Sequence, residues 1–238
     1  MYAITNSAST PARASLQMRP LAGVSAFAGA ADADPLERLG TQARYERNRT
    51  IYFEGDEAAH YFKVRSGTVR LCKVTEDGRR QIAAFLTEGD LFGWTDQDNY
   101  NFSAEAVTDV TVEKFSRARI EESVKANPSM GRRVLALLSN QLASAHEHLL
   151  LLGRMTASER VATFLLELVR RQRNGNGAGA SVELAMSRKD VADYLGLTVE
   201  TVSRTMSALK RKGIIAFSEP EHVQLKQNTT LERLAMAA

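Results

Sequence analysis

The spacing of hydrophobic positions changes period along the chain. From about Asp34 to Phe115, short runs of β-formers recur at Thr50–Phe53, Tyr61–Arg65, Thr68–Val74, Arg79–Leu86 and Val107–Phe115. Gly55, Gly67, Gly78 and Gly89 punctuate them at intervals of 12, 11 and 11 residues. Regular turn signals between short strands predict an all-β roll or barrel, with a short helix expected ahead of it at Leu36–Gly40. Residues 117–152 turn helical. Past Asn127-Pro128 the leucines fall on a heptad, with Leu135, Leu142 and Leu149 in one position and Leu138, Ala145 and Leu152 in the other. Leu137, Leu150 and Leu151 add apolar surface outside that seam. A helix this apolar needs two partners, and its own β-domain plus a second copy of the chain would supply them. The seam spans only about two and a half heptads, so a buried helix in a monomer is the competing reading.

Gly153 is expected to end that helix. Thr156 and Glu159 then form a capping box for another, marked by Val161, Phe164, Leu165 and Leu168. Asn174–Ala180 reads as a flexible loop, and Val182, Leu184 and Met186 alternate as a strand. Ile214–Phe217 and His222–Leu225 flank a Glu219-Pro220 turn as a β-hairpin, and Thr229–Met236 resembles a terminal helix. The pattern as a whole is that of an α+β protein.

Between these elements, Ser187–Gly213 reads as two short helices joined by a tight turn. Ser187 and Asp190 make a capping box, Val191, Ala192 and Leu195 form one apolar face, and Gly196 ends the first helix where a residue without Cβ is cheapest. Leu197 is expected to be buried in the turn. Thr198 caps a second helix with an inner face of Val202, Met206 and Leu209. This is a helix-turn-helix, whose second helix enters the DNA major groove and reaches base edges with its first residues. Its outward face carries Glu200, Thr201, Ser203 and Arg204, followed by Lys210-Arg211-Lys212. Arginine pairs bidentately with guanine, glutamate accepts from the cytosine amino group, and serine contacts either donors or acceptors. Lys210 and Lys212, beyond the base-reading turn, suit phosphates.

Charge agrees with this. Between Met186 and Gly213 six basic residues face three acidic ones, and that excess of three equals the net charge of the whole chain, +3. A basic patch confined to one module is the footprint of phosphate contact. Elsewhere the composition mostly excludes. A single cysteine rules out an intramolecular disulfide framework and a cysteine-only metal site within one chain. No apolar run approaches the roughly 20 residues needed to cross a bilayer, so no membrane partner is expected and the cytoplasm is the expected location. The acid-free, Ala/Ser/Thr-rich residues 1–30 read as a flexible arm, a texture that organelle transit peptides share. No Ser–His–acid set, phosphate-binding glycine loop or metal-ligand spacing appears, so no enzyme, cofactor or metal is expected.

A glycine-punctuated β-roll, a long apolar helix and a C-terminal winged helix-turn-helix, in this order, resemble the superfamily of the cAMP receptor protein and FNR over roughly residues 30–226. The resemblance implies a flexible arm (1–30), a cyclic-nucleotide-binding-like jelly roll (31–116), a dimerisation helix region (117–153) and a winged helix-turn-helix DNA-binding domain (154–238). Its sharpest part is DYLGLTVETVSR, Asp193–Arg204, whose E-x-x-S-R core looks like the FNR-type recognition helix. It implies that Glu200, Ser203 and Arg204 read a TTGA-type half-site in an inverted palindrome, and that Arg188, Thr198 and Thr201 contact phosphates.

The sensory half departs from the family. In GDLFGWTDQDNYNFSAEA, Trp94 stands where cAMP-binding members carry a ribose-binding glutamate, and Phe102 precedes Ser103 where they carry an arginine for the phosphate. A phosphate without a cation loses its strongest hydrogen bonds. FNR holds an iron–sulfur cluster on four cysteines, whereas this chain has only Cys72. An FNR-like helix without cluster cysteines resembles the FixK group, which implies a dimeric activator of low-oxygen respiration, denitrification or nitrogen-fixation genes. Such an activator contacts RNA polymerase and works without cyclic nucleotide or cluster. The alternative is a regulator gated by an unknown effector in the roll, where Trp94 and Phe102 would suggest an apolar pocket; plain packing of the two rings is the simpler account.

Overall fold

The computed structural model describes residues 40–173, 181–219 and 221–236. The expected arm, the helix at Leu36–Gly40 (apart from Gly40 itself), the Asn174–Ala180 loop and Pro220 lie outside them. The N-terminal half runs β1 (Gly40–Tyr45), β2 (Thr50–Tyr52), β3 (His60–Ser66), β4 (Val69–Val74), β5 (Arg80–Leu86), β6 (Leu91–Phe92), β7 (Ser103–Ala106) and β8 (Val110–Ser116). Two antiparallel sheets result, in the orders β1-β8-β3-β6 and β2-β7-β4-β5. This is the jelly-roll-like body that the turn spacing predicts.

Three of these strands escape the sequence pattern for physical reasons. β1 is an edge strand with no fully buried position, β6 has two residues, and β7 is Ser-Ala-Glu-Ala without a β-branched side chain. The strand expected from Val107 starts only at Val110, because the segment before it is a turn. There Val107 N–H donates to Thr68 O at 2.8 Å and Thr108 Oγ1 accepts from Thr68 N–H at 3.0 Å. The four recurrent glycines all have left-handed backbone, with φ between 79° and 91°. At Gly67 the constraint is doubled, since a Cβ would lie 2.2 Å from Asp109 O.

Strand β3 faces two ways. Phe62 and Val64 point between the sheets, into a core with Tyr52, Val69, Phe92, Tyr100, Ala104 and Val112. Tyr61 points outward beneath α1 (Arg117–Ala126) and α2 (Pro128–Arg154), packing with Phe115, Ile120 and Met130. Helix α2 does not stop at Gly153. The helix runs through it to Arg154, and no Cβ clash or positive φ exists there to force a break.

The C-terminal half follows as α3 (Ala157–Arg173), β9 (Ser181–Glu183), α4 (Arg188–Leu195), α5 (Val199–Arg211), β10 (Ile215–Glu219), β11 (His222–Leu225) and α6 (Asn228–Ala235). The Thr156–Glu159 capping box is present at the start of α3. Strands β10, β11 and β9 form one small antiparallel sheet, the wing. One hydrophobic cluster crosses the boundary between the halves, joining Ile82, Phe85 and Cys72 of the roll to Leu151, Phe164, Leu165 and Tyr194. Phe85 lies 5.2 Å from the Tyr194 ring, and His148 stacks on the same ring at 4.2 Å. Burial, with Arg160 nearby, lowers the His148 imidazole to about 4, so the ring is neutral.

Glu167 is buried at this joint beside Phe85, Phe164 and Tyr194. Burial raises its carboxyl to about 8, against the opposing pull of Arg171. The unfolded chain therefore ionises first, and the folded state loses stability as pH rises from about 4.5 to about 8. Replacing Glu167 by Gln should stabilise the protein by an amount that grows across that window, up to a few kcal/mol, read as denaturant midpoints at each pH. For the turns, Gly55→Ala meets open space and should cost ~1–2 kcal/mol from its φ alone. Gly67→Ala adds a backbone collision and should cost clearly more in the same unfolding assay.

Candidate nucleic-acid interface

Both helix starts in the motif are capped as the residue types dictate. Ser187 Oγ accepts from Asp190 N–H at 3.1 Å, and the Asp190 carboxylate accepts from Ser187 N–H at 3.2 Å. Thr198 Oγ1 accepts from Thr201 N–H at 3.2 Å. Gly196 takes φ 61°, and Leu197 N–H closes the turn on Ala192 O at 3.0 Å. Val191, Ala192, Leu195, Val202, Met206 and Leu209 are buried, so the two helices meet on the predicted faces. Leu197 is only half-buried, because the turn lies at the edge of that core rather than inside it.

The opposite face of α5 is free. Glu200, Ser203 and Arg204 are exposed in its first two turns, and Lys210 and Lys212 are exposed at its end. The Glu200 carboxyl is held below the usual range by its own backbone N–H and the Thr198 hydroxyl, so it is charged and folded back on the helix start. The Thr198 and Thr201 hydroxyls lie 3.0 Å apart, with Arg204 Nη2 3.5 Å from the second. Outward-facing and cap residues thus form one connected surface. Arg188 sits apart from it, half-buried, with its guanidinium 5.2 Å from the Phe217 ring of the wing. Lys210 Nζ approaches the same ring from 5.8 Å.

Position within the chain depends on residues the sequence pattern does not single out. Arg70 and Arg80 of the roll reach Asp190 Oδ1 at 3.1 and 2.5 Å, and Arg80 also reaches Asp193 Oδ2 at 2.8 Å. Burial by itself would raise the Asp190 carboxyl; Ser187 and the two guanidinium groups outweigh it and hold the group below the usual range. Arg160 binds three helix-end carbonyls, those of Leu152, Met155 and Leu195, at 2.8–2.9 Å. The sequence signal for such ties is weak: arginines inside otherwise apolar strands, each of which needs a partner.

In the N-terminal half, the Tyr52 and Tyr100 rings stack at 3.7 Å and Phe62 and Phe92 at 5.0 Å, filling the space between the sheets. Trp94 and Phe102 do not form a pair. Trp94 stacks on Tyr61 at 3.9 Å under the helices, while Phe102 is exposed. Helix α2 seats on β6, with Leu137 packed on Leu91 and Gln141 Nε2 donating to Leu91 O at 2.5 Å. Cys72 is buried, and burial pushes its thiol up to about 11. Among the described residues no helix is long and apolar enough to cross a membrane.

Comparison with known proteins agrees with this architecture. Residues 159–234 match the Crp-like helix-turn-helix domain family, and residues 42–127 match the cyclic nucleotide-binding domain family. The chain is 44% identical over 213 residues to the nitrogen fixation regulation protein FixK of Azorhizobium caulinodans, covering 89% of this chain and 86% of that protein. It is 42% identical to the FixK of Bradyrhizobium diazoefficiens, covering 79% of each. The solved structure of FixK2 from Bradyrhizobium japonicum superimposes with a TM-score of 0.78 at 40% identity, over 84% of this chain and 98% of that one. The roll belongs to a nucleotide-binding type, yet its residues do not fit a cyclic nucleotide. From Gly89 to Ala106 there is no Lys or Arg to meet a phosphate, and the acids Asp90 and Glu105 are engaged by Arg171 at 3.5 Å and Arg70 at 2.6 Å. With its helix-turn-helix intact and relatives that are regulators rather than enzymes, the chain belongs to the CRP/FNR superfamily of DNA-binding transcription regulators, in its FixK-like branch.

Proposed function

We propose that the protein works as a homodimer that reads TTGA-type inverted repeats. In this reading it activates genes of low-oxygen respiration, denitrification or nitrogen fixation through contact with RNA polymerase. Glu200, Ser203 and Arg204 meet base edges, and Arg188, Thr198, Thr201, Lys210 and Lys212 meet phosphates. The carrying observation is the exposed Glu200/Ser203/Arg204 face on a helix capped at its start and packed on α4, which is itself tied to the roll. The relatives' names, nitrogen fixation regulation proteins, support the gene class.

The dimer reading is supported by α2. Its inner face, Met130, Leu137, His148 and Leu151, is buried against the chain's own domains. Its outer face leaves Leu135, Leu142 and Leu149 57–65% exposed, with Leu138 and Ala145 beside them. Leu152, expected in the same seam, is half-buried and partly committed to the DNA-binding domain's core. A leucine stripe of this length in water is unfavourable by roughly 1–2 kcal/mol per side chain, and a second copy would cover it. Two recognition helices then fall in successive major grooves, about 34 Å apart.

Activity without a cyclic nucleotide or cluster is supported by the ring-filled roll, the cation-free Gly89–Ala106 stretch and the single buried Cys72. One observation favours effector gating instead. A cleft of about 290 Å³ lined by Tyr61, Trp94, Ile120, Val124 and Val134 adjoins the buried Trp94 N–H, which has no hydrogen-bond partner among the described residues. Purified, ligand-free protein in air separates the two readings. Preference for a TTGA inverted repeat over a scrambled duplex supports the first, and equal binding of both supports gating.

Two variants probe the residues. Arg204→Ala should cost ~1–3 kcal/mol and relax specificity at a guanine, whereas Lys210→Ala should weaken all duplexes alike and reduce the salt slope by about 1 for each phosphate left without its lysine. Unchanged discrimination in Arg204→Ala would remove the base-reading role. Leu142→Asp places a charge in each copy of the seam. It should give monomers in sedimentation and weaken palindrome binding by about 100-fold or more.

A further inference from the structure

Helix α3 buries Phe164, Leu165, Leu168 and Val169 and, in the midst of them, the acid Glu167. An apolar stripe accepts a carboxyl only when the group is neutral or paired. Among the described residues the Glu167 carboxyl makes no hydrogen bond or ion pair. It lines a cavity of about 50 Å³ between the two halves of the chain, with Thr68, Phe85 and Thr87 of the β-roll on one side and Arg171 and Tyr194 on the other. A neutral acid at a joint, with space beside it, is a group whose ionisation the joint must answer.

Arg171 stands four residues on, the spacing at which a glutamate followed by a basic residue pairs along a helix. Its guanidinium is turned the other way. Nη1 donates to Phe85 O at 2.8 Å and lies 3.5 Å from Asp90 Oδ2, so a charge on α3 holds the roll. Asp90 Oδ2 also accepts from Thr87 N–H at 2.8 Å and keeps that bond without the arginine. Arg171 and Arg170 of α3 act on the Glu167 carboxyl, as does Glu147 of α2. Tyr194 of α4 faces it, Glu183 of β9 lines the cavity, and His148 of α2 stacks on the Tyr194 ring. His148 is already neutral, and burial pushes the Tyr194 phenol up, so neither changes charge where Glu167 titrates.

We propose that Glu167 and Arg171 form a proton-operated latch between α3 and the β-roll. With Glu167 protonated, Arg171 holds Phe85 O and Asp90. When Glu167 gives its proton to solvent, Arg171 turns to the carboxylate one helical turn back and lets the roll go. The drive is the cost of a buried carboxylate without a partner. Its direction follows from linkage. The latched form binds the proton more tightly than a solvated carboxylate does, about 8 against 4.5, so rising pH favours release across that window. The Arg70 and Arg80 ties to Asp190 remain, and release loosens one side of the joint rather than parting the halves. The orientation of the helix-turn-helix thereby answers to proton concentration. The latch does not depend on what α5 reads, and no DNA enters its test.

The test is amide hydrogen exchange of the full chain at about pH 6 and about pH 8.5, each rate corrected for the intrinsic effect of pH. In the wild type, protection at the joint should fall about tenfold or more between the two. The joint is read in β5, the sheet edge packed against α4, and in the last two turns of α3. Strands β3 and β8, inside the other sheet, should keep their protection. Glu167→Gln, which cannot ionise, should hold the joint protected at both pH values. Arg171→Ala, which lacks the latch itself, should leave it weakly protected at both. A fall of the same size in Glu167→Gln would overturn the proposal, as would a wild type whose joint does not respond to pH. A fall shared equally by β3 and β8 would also overturn it, since that is a loss of overall stability and not the opening of one joint.

Discussion

One buried carboxylate, that of Asp190, ties together the two halves of the chain. Its side chain completes the capping box of α4 and receives guanidinium groups from both Arg70 and Arg80 of the β-roll. A charge so nearly buried is tolerable only with this full set of partners. The same residue that starts the first helix of the DNA-reading motif therefore decides where that motif stands relative to the β-roll. Arg160 does the matching job at the other end, gathering the carbonyl ends of α2 and α4 onto one guanidinium. Between these two polar ties, Phe85, Phe164 and Tyr194 form an apolar contact that spans the boundary. The halves are thus joined by directional bonds at the rim and by packing at the centre.

The polar ties also shape the electrostatics. The motif carries six bases and three acids, but Asp190 and Asp193 are engaged by arginines of the roll. Glu200 is the acid that remains on the exposed side, beside Arg204. The face turned to solvent is therefore more basic than the composition of the segment suggests, and its one carboxylate stands beside Ser203 and Arg204 on α5. Helix α2 shows a similar division of labour. One stripe packs on the chain's own roll and DNA-binding core, and the other stripe, with Leu135, Leu142 and Leu149, is exposed.

Much of the fold was legible because it depends on local chemistry. Ser187 with Asp190, Thr198 with Thr201 and Thr156 with Glu159 are neighbours in sequence, so a cap could be read from residue types and spacing and each hydrogen bond is present. The four turn glycines were legible for the same reason. Strands β1, β6 and β7 were not, since they are strands through their neighbours' hydrogen bonds rather than their own propensity. The helix end expected at Gly153 falls later because glycine permits a break without requiring one. Trp94 and Phe102 lie eight residues apart in a loop-rich stretch, and nothing local says that one ring stacks under the helices while the other faces water.

By itself the sequence determined the α+β architecture, the order of its parts, the outward face of α5 and the lack of any Lys or Arg between Gly89 and Ala106. Each of these follows from periodicity, capping or the presence of a side chain within a few residues. The tertiary structure alone decided that Arg70 and Arg80 clamp α4 and that Tyr52, Phe62, Phe92 and Tyr100 fill the roll. It also decided that Leu152 turns inward and that Arg47 shares a cleft with Arg188. Arg70 and Asp190 stand 120 positions apart, and Arg80 and Asp190 stand 110 apart. Their meeting depends on how two sheets stack and how a helix-turn-helix docks, and no local pattern encodes the distance between residues brought together only by that packing.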